Sequence, residues 1–191
     1  MKSIPLGPLL LACCLCSPPA SATDGLAGRV LEALGVRKPP ELQKSPRQVA
    51  LRLHASAKLN SDAEGRPLPL VARIYSLRQS AAFEAAPYAT FLAEDAGRVA
   101  FGADLVAVRE LILLPGQRYD AIEHVPQEAA YVGIVALFHS PAPQRWRLAF
   151  ASAEAEKAGL TLGLQACALS AGAGAQPTGA AARTQGPAHC Q

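Results

Sequence analysis

Long apolar runs are missing from this 191-residue chain. No stretch reaches the ~18 residues that read as a transmembrane helix, so a permanent helical span is excluded. Charge is scarce, at 17% of residues, and nearly balanced, at a formal +3. A pI of about 8.7 with scattered basic residues excludes a nucleic-acid-binding face, for which a domain pI above ~9 and a clustered basic patch are expected. Catalytic signatures are missing too: there is no G-x-S-x-G, H-E-x-x-H or P-loop. Collagen, coiled coil and a wholly disordered chain are ruled out by composition. What is present is a 50% hydrophobic content, enough to bury a core in a chain of single-domain length.

The N-terminus reads as a targeting segment. Lys2 gives a short positive region, and Ile4 to Leu15 is apolar, broken by Pro5 and Pro8. That length suits a signal peptide rather than a membrane span. Two processing sites compete. Leu10-Leu11-Ala12-Cys13 reads as a lipobox, with Cys13 as the acylated residue and residues 1–12 removed; Ala20-Ser21-Ala22 reads as an ordinary A-x-A cleavage site. With Cys13 acylated, the next residue is Cys14 rather than Asp, which favours the outer membrane. Cys13-x-x-Cys16 has redox spacing but no βαβ context. Cys167 and Cys190 are then the cysteines left in the exported body, free as two thiols or joined as a disulfide in an oxidising compartment.

Residues 13–46 read as an acylated tether with a short helix, Gly25 to Leu34, capped by Asp24 and stopped near Gly35. From residue 47 the apolar period changes to two, which predicts strands. Val49, Leu51, Leu53 and Ala55 alternate with Ala50, Arg52 and His54, and a second strand covers Leu70 to Leu77. Ser80 to Ala86 and Tyr88 to Asp95 read as two helical turns burying Phe83, Phe91 and Leu92. Further strands are expected at Leu105 to Leu114, Arg118 to Val125, Tyr131 to Phe138 and Arg145 to Ala151, and as one alternating run from Leu160 to Ala168. Short strands with turn signals between them predict a mainly β, two-sheet antiparallel sandwich with a small helical insertion, over residues 47–170. Residues 171–191, rich in Ala and Gly, read as a disordered tail.

No cofactor or metal set emerges. His54, His124, His139 and His189 sit on separate segments. Asn60-x-Asp62-x-Glu64-Gly65 imitates the start of an EF-hand loop, but its twelfth position is Val71 and no helices flank it. Asp104, Glu110, Asp120 and Glu123 read as exposed strand charges, and Trp146 as core. A binding or structural role is therefore favoured over an enzyme. The 14-residue connection 56–69 stands out, because long loops in compact domains are often functional. Pro67 and Pro69 stiffen it, and Asn60 and Asp62 suit turns made by side-chain to backbone hydrogen bonds. Arg66 is the expected polar contact to a partner, or else pairs with Asp62 or Glu64. Leu68 is the expected apolar anchor, or else folds back onto the sandwich.

These segments carry a resemblance. Leu59-Asn60-x-Asp62 through Gly65-Arg66-Pro67-x-Pro69, then Val71-x-Arg73-Ile74-Tyr75-x-Leu77 and Phe83, followed by Leu111 to Pro115-Gly116, Tyr131-Val132-Gly133-Ile134-Val135-Ala136-x-Phe138 and Trp146-Arg147, resemble the outer-membrane lipoproteins of type VI secretion systems, the TssJ/VasD family. The resemblance covers about residues 47–165. It implies a transthyretin-like sandwich and acylation at Cys13 into outer-membrane lipid, facing the periplasm. It also implies a partner, the periplasmic region of TssM, with TssL in the wider complex, and the loop between the first two strands as the contact element. That loop contributes Asn60, Asp62, Arg66, Pro67 and Leu68. The competing expectation is a generic periplasmic sandwich that binds a small ligand or acts as a chaperone, which predicts a concave apolar pocket instead of a projecting loop.

Overall fold

The structure, a computed structural model, describes residues 45–93, 96–179 and 190. The signal segment, Cys13, nearly all of the tether and the helix expected at 25–34 lie outside the described residues.

Among the described residues eight strands form two four-stranded sheets. They are β1 Arg47–Ala55, β2 Leu70–Leu77, β3 Leu105–Leu113, β4 Arg118–Val125, β5 Tyr131–Ala136, β6 Arg147–Ala151, β7 Leu160–Leu164 and β8 Leu169–Ala171. One sheet has the order β4-β1-β7-β8 and the other β3-β2-β5-β6, which is the mainly β sandwich expected. Alternation along each strand sends one set of side chains inward. Val49, Leu51 and Leu53 of β1 and Leu160, Leu162 and Leu164 of β7 face Ala72, Ile74, Val132, Ile134, Leu148 and Phe150 of the other sheet, all buried. At the open edge between β3 and β4, Arg109 on β3 bonds to Glu123 and Tyr119 on β4 and ties the two sheets together.

The structure departs from the sequence expectation at several elements. β1 and β7 run parallel, with Leu51 opposite Leu160. A helix α3, Ser152–Ala158, carries the chain from β6 to β7, and that crossover sets β7 in the direction of β1. Gly159 ends α3 at φ +70 with the Ala50 carbonyl close by, a conformation in which a side chain would be strained. The alternating run from Leu160 breaks at Leu164, where Gln165 N–H donates to the Ala168 carbonyl and turns the chain back into β8. The chain also stays packed beyond residue 170. Ala175 is buried, and Gly172, Ala175 and Thr178 N–H groups donate to Thr161, Gly159 and Ala149 carbonyls. A disordered tail starting at 171 therefore does not describe residues 171–179.

Between β2 and β3, helix α1 (Ala81–Ala85), a 3-10 turn (Tyr88–Phe91), helix α2 (Ala96–Phe101) and a second 3-10 turn (Gly102–Asp104) lie over one sheet. Phe83, Phe91 and Phe101 are buried there against Tyr75. Leu92, expected inside, is 56% exposed, because the 3-10 turn directs Phe91 inward and leaves its neighbour outside.

Candidate functional site: the loop between β1 and β2

Nine residues of β1 separate the two ends of the sandwich by about 26 Å at roughly 3.3 Å per residue. At the end where the chain enters, Gln127 Nε2 donates to the Ser45 carbonyl, and Arg47 Nη1 donates to the Gln127 carbonyl. At the far end lies the loop 56–69, among the neighbouring turns. The Ser56 carbonyl accepts the Gly116 N–H from the β3–β4 turn, and the Asn60 and Ser61 N–H groups donate to the Gln165 and Ala166 carbonyls of the β7–β8 turn.

Asn60 is the pin of the loop. It is 6% exposed and adopts φ 49, the left-handed region that Asn tolerates better than most residues. Its Nδ2 donates to the Pro69 carbonyl at 2.8 Å and its Oδ1 accepts the His139 N–H at 2.6 Å. Both polar ends of the amide are committed inside the protein. Asn60 therefore positions the loop and is not a surface available to a partner.

Asp62 organises the tip. Its Oδ1 accepts the Glu64 and Arg66 N–H groups, at 3.0 and 2.8 Å, and its Oδ2 accepts from Arg66 Nε at 2.7 Å. Burial raises the Asp62 carboxyl, but the hydrogen bonds from the Arg66 side chain and backbone outweigh it and hold its pKa below the ordinary carboxylate value. Gly65, at φ +75, closes the turn, with its N–H on the Asp62 carbonyl. Arg66 pairs with Asp62 and, at 3.0 Å, with Glu64 while 72% of its side chain stays exposed. The surface pairing set against partner contact in the sequence is thus formed, and the guanidinium still faces outward. Pro67 is exposed and Leu68 half-buried. Leu68 N–H donates to the carbonyl of the buried Leu59, so the two arms of the loop are clasped below its tip.

The structure brings Cys167 and Cys190 together as a disulfide, with Cα atoms 5.7 Å apart. Cys167 is buried beside Ala142 and Ala168, and the Ala142 N–H donates to its carbonyl. The bridge therefore fastens the C-terminal segment to the loop end. The sequence showed the two thiols but not this location, because the β7–β8 turn hides inside an unbroken alternating pattern.

A cavity of about 150 Å³ lies between β2, β3 and α2, bordered by Arg73, Tyr75, Arg98 and Val108. It is well below the ~300–1,000 Å³ of ordinary small-molecule sites. Among the described residues no cluster of His, Cys, Asp and Glu is arranged to hold a metal.

The sequence model of a family described as type VI secretion lipoprotein (VasD, EvfM, TssJ) matches residues 47–167. Among solved structures, the type VI lipoprotein TssJ1 from Pseudomonas aeruginosa is 27% identical with a TM-score of 0.58, over 70% of this chain and 99% of that one. A chain of a type VI membrane complex is 23% identical, TM-score 0.60, over 66% and 98% of the two chains. A chain from a structure of the type VI protein TssM C-terminal domain, from EAEC, is 23% identical, TM-score 0.55, over 65% and 97%. At those two identities the likeness speaks to the fold. No curated protein sequence matches this chain.

Proposed function

The chain belongs to the type VI secretion lipoprotein family, and on that premise we propose that it ties the periplasmic region of TssM to the outer membrane, as a structural part of the complex that also contains TssL. The family is one of structural lipoproteins rather than an enzyme class. The observation that carries the proposal is the placement of the loop. The chain enters the sandwich at one end, at Ser45, and the pre-ordered loop 56–69 stands at the other. A lipid anchor at Cys13 would thus pull on the end opposite the contact element. Each buried CH₂ of an acyl chain contributes ~0.8 kcal/mol, so one chain alone anchors marginally and the several acyl chains of a bacterial lipoprotein anchor stably.

The loop suits docking because its shape is already set. Asn60 and Asp62 hold it by bonds internal to the chain, and Pro67 and Pro69 restrict its backbone. Little ordering entropy is then lost on binding. Arg66, Pro67 and Leu68 present the contact surface, Asn60 and Asp62 support it, and the Cys167–Cys190 bridge braces the same end in the oxidising periplasm. The small volume of the cavity bordered by Arg73 and Arg98 speaks against the ligand-binding alternative.

The test replaces residues 62–66 with a Gly/Ser link, leaving Asn60 in place, in the full acylated chain in nanodiscs. Calorimetry against the TssM periplasmic region should show at least ~10-fold weaker binding, or about 1.4 kcal/mol, with an unchanged thermal melt. Equal affinity in a folded variant would move the interface elsewhere.

A further inference from the structure

Among the described residues β3 is the edge strand of the second sheet. Leu105–Leu113 is nine residues long and contains neither Lys nor Pro, two residues that commonly blunt an exposed edge; its two charged residues, Arg109 and Glu110, are paired with Glu123 and Arg73. Among the described residues β3 pairs with β2 alone. The opposite edge of the same sheet is occupied in part, since Thr178 N–H donates to the Ala149 carbonyl of β6 at 2.7 Å. On the outward face of β3 two exposed apolar side chains, Val108 at 42% and Ile112 at 63%, flank Glu110, and Leu114 follows at 55%.

The cavity of about 150 Å³ opens beside this strand, with Val108, Glu110 and Leu105 on its wall. Its size suits one side chain. Among the described residues its charge is unbalanced. Arg73 is committed to Glu110 at 2.7 Å and to the Phe91 carbonyl, whereas Arg98, exposed on α2, has no acidic partner among the described residues. Among the described residues the rim therefore carries one guanidinium beyond what Glu110 neutralises. β3 also leads into the turn whose Gly116 N–H is held by Ser56, so an added strand would run straight to the loop 56–69.

We propose that the free edge of β3 and the cavity beside it receive an extended segment of the partner that docks on the loop, adding as a fifth strand with apolar side chains against Val108 and Ile112 and a carboxylate at Arg98. In such strand addition the main-chain bonds supply affinity and the pockets for alternate side chains supply specificity. The inference rests on the loop-docking function proposed above and extends its interface along one sheet edge.

The test uses the full acylated chain in nanodiscs and the purified TssM periplasmic region as the probe. Ile112→Lys and Arg98→Glu should each weaken binding about 10-fold or more, while Arg98→Lys stays within about 2-fold. Ile122→Lys is the control, since Ile122 is also an exposed Ile, at 52%, on β4 of the other sheet; it should leave affinity unchanged. A photo-crosslinking residue at 112 should capture the TssM region, and one at 122 should not. Normal binding by both Ile112→Lys and Arg98→Glu, with no crosslink from 112, overturns the strand addition and leaves the loop function standing. Equal loss in Ile122→Lys, or capture of a second copy of this chain from 112, also overturns it. A wild type that does not bind the TssM region overturns both.

Discussion

The β1–β2 loop and the β2–β3 insertion both interrupt the sandwich, and different forces hold them. The loop is held by polar bonds: Asn60 to Pro69 and His139, Asp62 to Glu64 and Arg66, and backbone bonds to the β7–β8 turn. The insertion is held by rings. Tyr75, Phe83, Phe91, Phe101, Tyr88 and Trp146 form a continuous set with centroids 4.9 to 6.0 Å apart. Arg147 adds a clamp, donating to the Glu84 and Ala86 carbonyls at the end of α1 while lying over the Trp146 ring. Tyr88 donates its hydroxyl to the Phe138 carbonyl, and burial pushes its pKa up to about 12. Aromatics are only 5% of this chain, and they are concentrated where a cover must be fixed to a sheet. The contrast suits the two tasks: apolar packing stabilises the cover, and a polar scaffold keeps the loop shaped while its outer side stays in water.

The comparison is broken most severely at Phe83. Truncating it to Ala removes a fully buried ring from the centre of the set and should cost about 3–5 kcal/mol in urea unfolding. Gly133 sharpens the same point, because a Cβ there would lie 2.6 to 2.9 Å from three Phe83 ring atoms; Gly133→Ala should cost about 1–3 kcal/mol by overpacking. A loss well under 1 kcal/mol for Phe83→Ala would show that the insertion is held by something other than its rings.

The disulfide comes next in size. Cys167 and Cys190 are 23 residues apart, so loop closure could stabilise by about 3 kcal/mol in the entropy model. Cys190→Ser should lower stability by up to that amount, less where the packed residues 171–179 already restrict the chain. Intact mass under non-reducing conditions checks the bridge itself; two free thiols in periplasmic material would refute it. Asn60→Ala follows. It strands the Pro69 carbonyl and the His139 N–H and removes a residue suited to φ 49, which should cost about 1–3 kcal/mol and weaken TssM binding without any change at the loop tip.

This difference in forces also decides what the sequence made legible. The alternation of β1 and β2 and the two-sided burial of β5 follow from period and composition, and Phe83 and Phe91 stood out as large apolar residues in an Ala-rich stretch. The parallel pairing of β1 with β7 left no such mark, because pairing direction depends on the crossover through α3 rather than on either strand. α2 and α3 were missed because each spans under two turns. At the loop, the turn-forming roles of Asn60 and Asp62 could be read from residue type. The burial of Asn60 could not, since its partner His139 is 79 residues away. The cavity beside β3 was equally hidden, as it joins β2, β3 and α2.

The smallest effect is expected at Asp62, where pH separates loop from sandwich. The Asp62 pKa is held down, mainly because Arg66 hydrogen bonds outweigh the raising effect of burial. A depressed carboxyl contributes its order fully above the unfolded value of ~3.9 and loses it as pH falls through the lower folded value. Glu123 at the β3–β4 edge has the opposite sign: burial raises its pKa, and Arg109 and then His124 offset that only in part. Its contribution is complete below the ordinary 4.5 and is lost as pH rises through its folded value. Acidification from neutrality should therefore protonate Glu123 first and Asp62 last. NMR of the Glu64 and Arg66 amides, which bond to Asp62 Oδ1, should show a transition with its midpoint below 3.8. Asp62→Asn should abolish that transition, leave the melting temperature unchanged, and leave the Arg66 guanidinium paired with Glu64 alone. A midpoint at or above the ordinary carboxylate value would mean that Arg66 does not hold the tip in solution, and the loop would then have to gain its shape on binding.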